Sequence, residues 1–419
     1  MKNQQITYKG VSYTVNLYDQ IQQASEAGWR TFVPANIVPL GVEYLKALEE
    51  SCPSNVRQQY VVITKGSEIV AVSLFQLIDF TVKGLGLSAS IERILQFFKI
   101  YDTRKPVPVL LCGNTFFSGN YGYYFAKSVD GQTAYNLLNA VIDKFFDTHP
   151  SFNFVAVKDF VEPFDIEATV LKQLGYTTFA VDPCMVFEGP DVYETFDGYI
   201  DAIISKYKKR YRSIAKKGLE LRTVDFSEDD IQHNAAVIGV LFNNVQGKAG
   251  FKFTEADVRY MMSLKKNLGE KYLFRAYYLE NIMVGFLSAI ISDDLLEAHF
   301  IGVDYQYNHK YEVYQNLLYD FLKLGIEYKV QRINYGRTAM EIKSNIGAKA
   351  HVAHIYIKHR NKFLNWLISP VFGMVKQTKW TPRDPFKNII LDENTEKNCS
   401  IKLLLSRADR RLQKQGRAE

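Results

Sequence analysis

Between residues 272 and 303 three β segments follow one another at two-residue joints, and no other stretch of the chain restricts the fold as much. Segments 272–279, 282–292 and 295–303 are rich in β-branched and aromatic residues, and Glu280-Asn281 and Asp293-Asp294 fit tight hairpin turns between them. Upstream, Ile200, Ile203, Ile204, Tyr207, Tyr211 and Ile214 recur at three- and four-residue spacing, which predicts one helix over 194–215 ended by Gly218. A strand at 219–225 and helices over 229–245 and 254–268 follow, with Ser227 and Thr254 as caps. Downstream, Tyr314, Leu317, Leu318 and Phe321 mark a helix over 311–325, then a strand at 332–335, a helix at 339–346 and a last strand at 351–358. A meander flanked by helices on both sides in chain order predicts a mixed α/β (α+β) unit.

A single core rarely grows past about 250 to 300 residues, so 419 residues call for more than one unit. The first half repeats much of the order: a strand at 11–17, a helix over 42–50, a hairpin over 60–78 turning at 65–68, and a strand at 109–112. A helix over 134–146, a strand at 154–157, a helix over 166–174 and a strand over 177–187 complete it. Aligning Ile69 with Ile282 gives an offset of 213, but aligning Gly175 with Gly347 gives 172. The missing 41 residues place an insertion in the first copy, and 81–105, with its amphipathic stretch 91–100, is read as a helical lid. The expected division is 1–190, 191–360 and a basic C-terminal extension, 361–419.

Charge narrows the partners. The extension carries 12 Lys and Arg against 6 Asp and Glu, so it accounts for the whole net charge of +6 and the body is neutral. A body that binds nucleic acid is disfavoured on charge grounds. Four scattered cysteines make no disulfide framework or CxxC motif. The polar first ten residues lack the apolar core of a secretion signal, so a cytoplasmic location is expected. The apolar stretch 363–375 is too short to span a bilayer and, interrupted by Pro370, reads as a packed helix or as a peripheral membrane contact through 361–387.

Three sets of residues carry candidate chemistry. Gly336-Arg337-Thr338-Ala339-Met340-Glu341-Ile342-Lys343-Ser344-Asn345 places charge in a strand-to-helix connection where none is needed. Helix 194–215 holds Lys206, Lys208, Lys209, Arg210, Arg212, Lys216 and Lys217, with no acid among them from 202 to 217. Strict alternation puts Glu297, His299 and Ile301 on one face of the strand 295–303. No metal is expected: His351 and His354 fall on opposite faces of a strand, with no carboxylate or cysteine cluster beside them.

The Gly-Arg-Thr segment, the Lys-Lys-Arg-Tyr-Arg run at 208–212 and the repeat together resemble the tandem-GNAT, FemAB-like N-acyltransferases, which include the Fem-type peptidoglycan-bridge aminoacyltransferases. The resemblance covers about 195–360 well and 1–190 loosely. It implies two tandem GNAT-like domains whose central strands part, and transfer of an acyl or aminoacyl group from a thioester or tRNA donor to an amine acceptor. On that template Glu297, His299 and Glu341 are the catalytic candidates, and Tyr314, Arg337, Lys343 and Asn345 the substrate-binding ones. Gly113 and Asn114, in a glycine-rich loop after the strand 109–112, and Lys209, Arg210 and Arg212 are expected to hold an acyl-CoA or other phosphate-bearing donor. One departure stands out: members that bind acetyl-CoA place a glycine-rich turn before the helix after the parted strand, and this chain has no glycine between Gly302 and Gly325. A non-catalytic protein that binds a cell-wall precursor, lipid headgroup or protein partner is therefore the rival expectation.

Overall fold

The computed structural model describes residues 2–80, 106–161, 166–247, 256–372 and 377–386. The helical lid expected in 81–105, the Thr254 cap and the tail beyond Phe386 lie outside the described residues.

The first half runs β1 (Lys2–Tyr8), β2 (Val11–Tyr18), α1 (Ile21–Glu26), α2 (Trp29–Phe32), α3 (Val42–Glu50), β3 (Val56–Lys65) and β4 (Glu68–Phe80). It continues with β5 (Val107–Cys112), β6 (Tyr123–Phe125), α4 (Gly131–Thr148), β7 (Phe154–Val161), α5 (Ile166–Gln173) and β8 (Thr177–Glu188). The second half begins with α6 (Phe196–Ala202), α7 (Ser205–Lys217), β9 (Arg222–Asp225), α8 (Glu228–His233), α9 (Ala235–Gln246) and α10 (Val258–Leu268). The meander β10 (Tyr272–Leu279), β11 (Ile282–Ile291) and β12 (Leu295–Val303) leads to α11 (Tyr305–Tyr311), α12 (Val313–Glu327), β13 (Arg332–Asn334), α13 (Met340–Ser344), β14 (Lys349–His359) and α14 (Lys362–Phe372).

The fourteen strands among the described residues join one sheet, ordered β1-β2-β3-β4-β5-β7-β14-β8-β13-β12-β11-β10-β9, with β6 on β4. The order β2-β3-β4-β5-β7-β14-β8 is matched by β9-β10-β11-β12-β13-β8-β14, with the same strand directions at every step. Each series has one parallel junction, β5 with β7 and β12 with β13. The two long strands β8 and β14 serve both series. The chain's last described strand thus lies between two strands of its first half, and neither series is complete without it.

Several elements differ from the periodicity. The stripe over 194–215 is two helices, because Ile203 forms a β-bridge with Phe386 and the Ile204 N–H donates to the Pro385 carbonyl at 2.8 Å. The C-terminal strap 377–386 therefore decides where α6 stops. Asn234 separates α8 from α9, and Glu312, at φ 51°, separates α11 from α12. The Ser227 cap is observed as a capping box with Asp230, and α10 is capped by Asp257.

Candidate functional site at the parted strands

β12 and β13 pair at Leu295/Arg332, Leu296/Ile333 and Glu297/Asn334 and then part, β13 ending while β12 runs on to Val303. On the other side β12 keeps its ladder to β11, with a bulge: Ser288 pairs with Phe300 and Ala289 with Ala298, leaving His299 as the extra residue. The Ser288 hydroxyl secures the bulge, accepting from the Phe300 N–H at 3.1 Å and donating to the Phe300 carbonyl at 3.3 Å. The bulge breaks the alternation expected for this strand. His299 and Phe300 lie on one side of the sheet, among Phe117, Phe116 and Tyr260, whereas Ile301 packs into the core on the other.

At the fork the Asn334 amide donates to both carboxylate oxygens of Glu297, at 3.1 and 2.9 Å, and to the Ser118 carbonyl at 3.3 Å. Glu297 is buried, and burial raises its pKa well above the usual carboxyl range despite the Asn334 bonds and the nearby Lys343 ammonium, which act the other way. His299 is half-buried with its Nε2 shielded from solvent; desolvation pushes its pKa down to about 3, and that Nε2 has no hydrogen-bond partner among the described residues.

The wall over this fork comes from the other half of the chain. The loop after β5 inserts Phe117 against the His299 ring, with centroids 5.1 Å apart, and Phe116 against Tyr260 at 4.6 Å. Asn114, 1% exposed, holds the loop in shape by accepting from the Phe116 N–H and bonding the Tyr44 hydroxyl, which pairs with the Tyr260 hydroxyl at 2.7 Å. Gly113 permits close approach: a Cβ there would sit 2.5 Å from Lys158 Cγ. Gly113 thus packs on Lys158 of β7, and Asn114 is taken up by Tyr44 of α3 and its own loop.

The Gly-Arg-Thr segment is wound tightly. Gly336, Thr338 and Ala339 all have positive φ, at 67°, 66° and 48°, a conformation that costs about 1 kcal/mol or more for each non-glycine residue. Lys343, on α13, fixes this turn by donating to the carbonyls of Tyr335, Gly336 and Arg337 at 2.6, 3.3 and 2.6 Å. Burial lowers the Lys343 pKa to about 7. Held so, Arg337 reaches Asp159 on β7 at 2.7 Å, and Lys158 approaches the same carboxylate at 3.5 Å. Asp159 and Lys158 are both buried, so a cation-anion-cation row crosses between the two halves next to the fork.

The structure brings Glu297 and His299 together and sets Arg337 and Lys343 beside them. Glu341 faces away, in an ion pair with Arg383 of the strap. Asn345 and Arg210 line one narrow crevice with Gln315, Tyr319 and Ile342, between α7, α12 and α13; Arg210 donates to Gln315 at 2.9 Å. Lys209 and Arg212 are exposed on α7, and Tyr314 sits in the first turn of α12. Asn334, Asp159 and Lys158 were not anticipated. A signal for the last two exists: two adjacent charges interrupt the apolar run Phe154–Val161.

No protein-family model matches the chain, and no curated protein matches it. Solved structures do. The crystal structure of FemX aligns with a TM-score of 0.50 at 10% identity, over 88% of this chain and 100% of that one. A tandem GNAT protein from the clavulanic acid biosynthesis pathway, determined without AcCoA, gives 0.48 at 10% identity over 83% and 99%. The C-terminal DUF2156 domain of a putative lysylphosphatidylglycerol synthetase from Agrobacterium fabrum gives 0.46 at 7% identity over 84% and 96%. The chain shares the fold of FemX.

The resemblance read from the sequence places a donor's pyrophosphate at the free amides of a helix start after the parted strand. Here that place is taken. The Asp304 carboxylate accepts from the Gln306 N–H at 2.9 Å at the start of α11, and the Asn308 side chain accepts from the Tyr314 N–H at 2.8 Å at the start of α12. Asp304 and Glu312 add negative charge at the two helix starts. Lys310 is exposed in the last turn of α11, and on α7 Lys217 pairs with Glu312 at 3.0 Å while Lys209 and Arg212 face solvent.

Proposed function

We propose that this chain is an N-acyltransferase that moves an acyl or aminoacyl group from an activated ester donor to an amine at the fork between β12 and β13. The observation that carries this reading is the bulged, parted β12, which sets Glu297 and His299 at the point where main-chain groups lose their strand partner. The amine nitrogen attacks the donor carbonyl and its proton passes to the Glu297 carboxylate; collapse of the tetrahedral adduct breaks the ester bond and the leaving thiol or hydroxyl takes that proton back. His299 and the Phe116–Phe117 wall exclude water from the acyl group. Arg337 is a positioning residue, acting through Asp159 on the turn that holds Asn334.

The filled helix starts at α11 and α12 favour a donor whose phosphates rest on α7, at Lys209 and Arg212. A charged tRNA fits that geometry better than coenzyme A bound at the α12 N-terminus. The second reading, a non-catalytic binding protein, is favoured by one feature: Glu297 and Lys343 are fully engaged by partners inside the protein.

The deciding experiment measures transfer from acyl-CoAs and from charged tRNA to amine acceptors, with product detected by mass. Burial raises the Glu297 pKa well above the usual carboxyl range, so the carboxylate fraction grows as pH rises through that raised pKa, and kcat/KM should climb with it. Glu297→Gln removes that limb and lowers the rate about 100-fold or more. Saturable donor binding without turnover in the unaltered protein establishes the binder instead.

A further inference from the structure

The helix α14 is mounted with its polar side inward. Asn361, Asn365 and Ser369, at positions i, i+4 and i+8, face the body of the protein. Asn361 caps the helix through the Leu364 N–H at 3.0 Å. The Asn365 side chain accepts from the His359 N–H and donates to the Gly175 carbonyl, both at 2.8 Å, and Ser369 bonds the Thr177 hydroxyl. The opposite side, at i, i+3 and i+7, is Phe363, Trp366 and Pro370, all exposed. Phe363 is 63% and Trp366 71% exposed, with their rings 6.1 Å apart. A surface helix ordinarily buries its apolar stripe, and here the hydrogen bonds hold it outward.

We propose that this face of α14 docks on an anionic lipid bilayer, with Phe363 and Trp366 entering the interfacial layer and the helix lying in its plane. Charge selects this occupant. Between Glu341 and Asp384 the sequence has eight Lys and Arg and no Asp or Glu. Asp143 and Asp147, on α4, neutralise Lys358 and Arg360 at the foot of the helix, at 3.3 and 3.4 Å, and Asp182 holds Thr378 beyond its end. Lys362, at its first turn, and Lys172, at the end of α5 beneath it, stay exposed. A second copy would bring like charges together across a two-fold contact, whereas aromatic rings flanked by lysines suit the headgroup boundary. The patch is anchorage rather than a substrate site: Ser369 meets Thr177 at one end of β8 and Asn334 pairs with Val186 near the other, roughly 30 Å away at the rise of a strand.

The test is co-sedimentation of the full chain with vesicles of phosphatidylcholine alone or mixed with phosphatidylglycerol. Binding should require the anionic lipid, weaken with salt, and fall about tenfold or more in Phe363→Asp/Trp366→Asp, with unchanged near-UV circular dichroism. Brominated lipid should quench tryptophan fluorescence, and Trp366→Phe should remove most of that quenching, since Trp29 is buried in the core and Trp380 of the strap is half-buried against its contacts. Equal pelleting of the double variant, or no pelleting of the unaltered chain, overturns the proposal. A dimer that dissociates in the double variant without any vesicle binding overturns it in favour of a second copy.

Discussion

At the scale of single residues, the charges near the fork serve the fold before they serve chemistry. Arg337 and Asp159 tie the two halves, and removing one partner of a buried pair leaves the other charge without compensation. Arg337→Ala should therefore cost about 3 kcal/mol in urea unfolding, while Lys158→Met/Asp159→Leu/Arg337→Met, which removes all three charges of the row, should recover most of that loss. If Arg337→Ala unfolds at the unaltered midpoint, the pair is not structural and a direct role toward substrate gains ground. The charge-bearing residues of the Gly-Arg-Thr segment were legible as unusual in the sequence, but their partners were not. Arg337 finds Asp159 from 178 positions away, Glu341 finds Arg383 on the strap, and Lys343 finds carbonyls of its own turn. Spacing along a chain carries no information about such meetings unless one element holds both residues.

At the scale of elements, the strap 377–386 shows how a distant segment edits local structure. It interrupts the helix expected over 194–215 by pairing with Ile203, and it seats Phe386 over Gly347, where φ is 97° and a Cβ would stand 2.6 Å from the Phe386 ring. Gly347→Ala should destabilise by roughly 1 to 3 kcal/mol through the left-handed backbone and the displaced ring. It should also speed proteolysis near the strap. A thermal midpoint within error of the unaltered protein would show that the strap does not rest there. The strands of the meander were legible because hairpin turns and alternation are local signals. The bulge at His299 was not, because it depends on the Ser288 hydroxyl of the neighbouring strand, and so Ile301 was expected on the wrong face. Likewise α14 read equally well as packed or interfacial, since periodicity shows that a helix has two faces and not which one the protein keeps.

At the scale of the whole molecule, β8 and β14 each complete a series of strands begun by the other half. A fragment ending near residue 190 would leave β7 and β8 without the strand between them, two open edges prone to association. That fragment expressed alone should be insoluble or aggregated, and co-expression with the remainder should restore a soluble complex. A monomeric, folded fragment by size exclusion and circular dichroism would contradict the shared-strand account. The sequence by itself determined the class of fold and most element positions, including the strand that carries Glu297 and His299, because hydrophobic period, turn chemistry and short-range spacing act within a few residues. Only the tertiary structure decided the sheet order, the Asn334 and Asp159 contacts, and which side of α14 faces outward. These rest on contacts between residues far apart in the chain, where the burial of one partner sets the charge, bonding and exposure of the other.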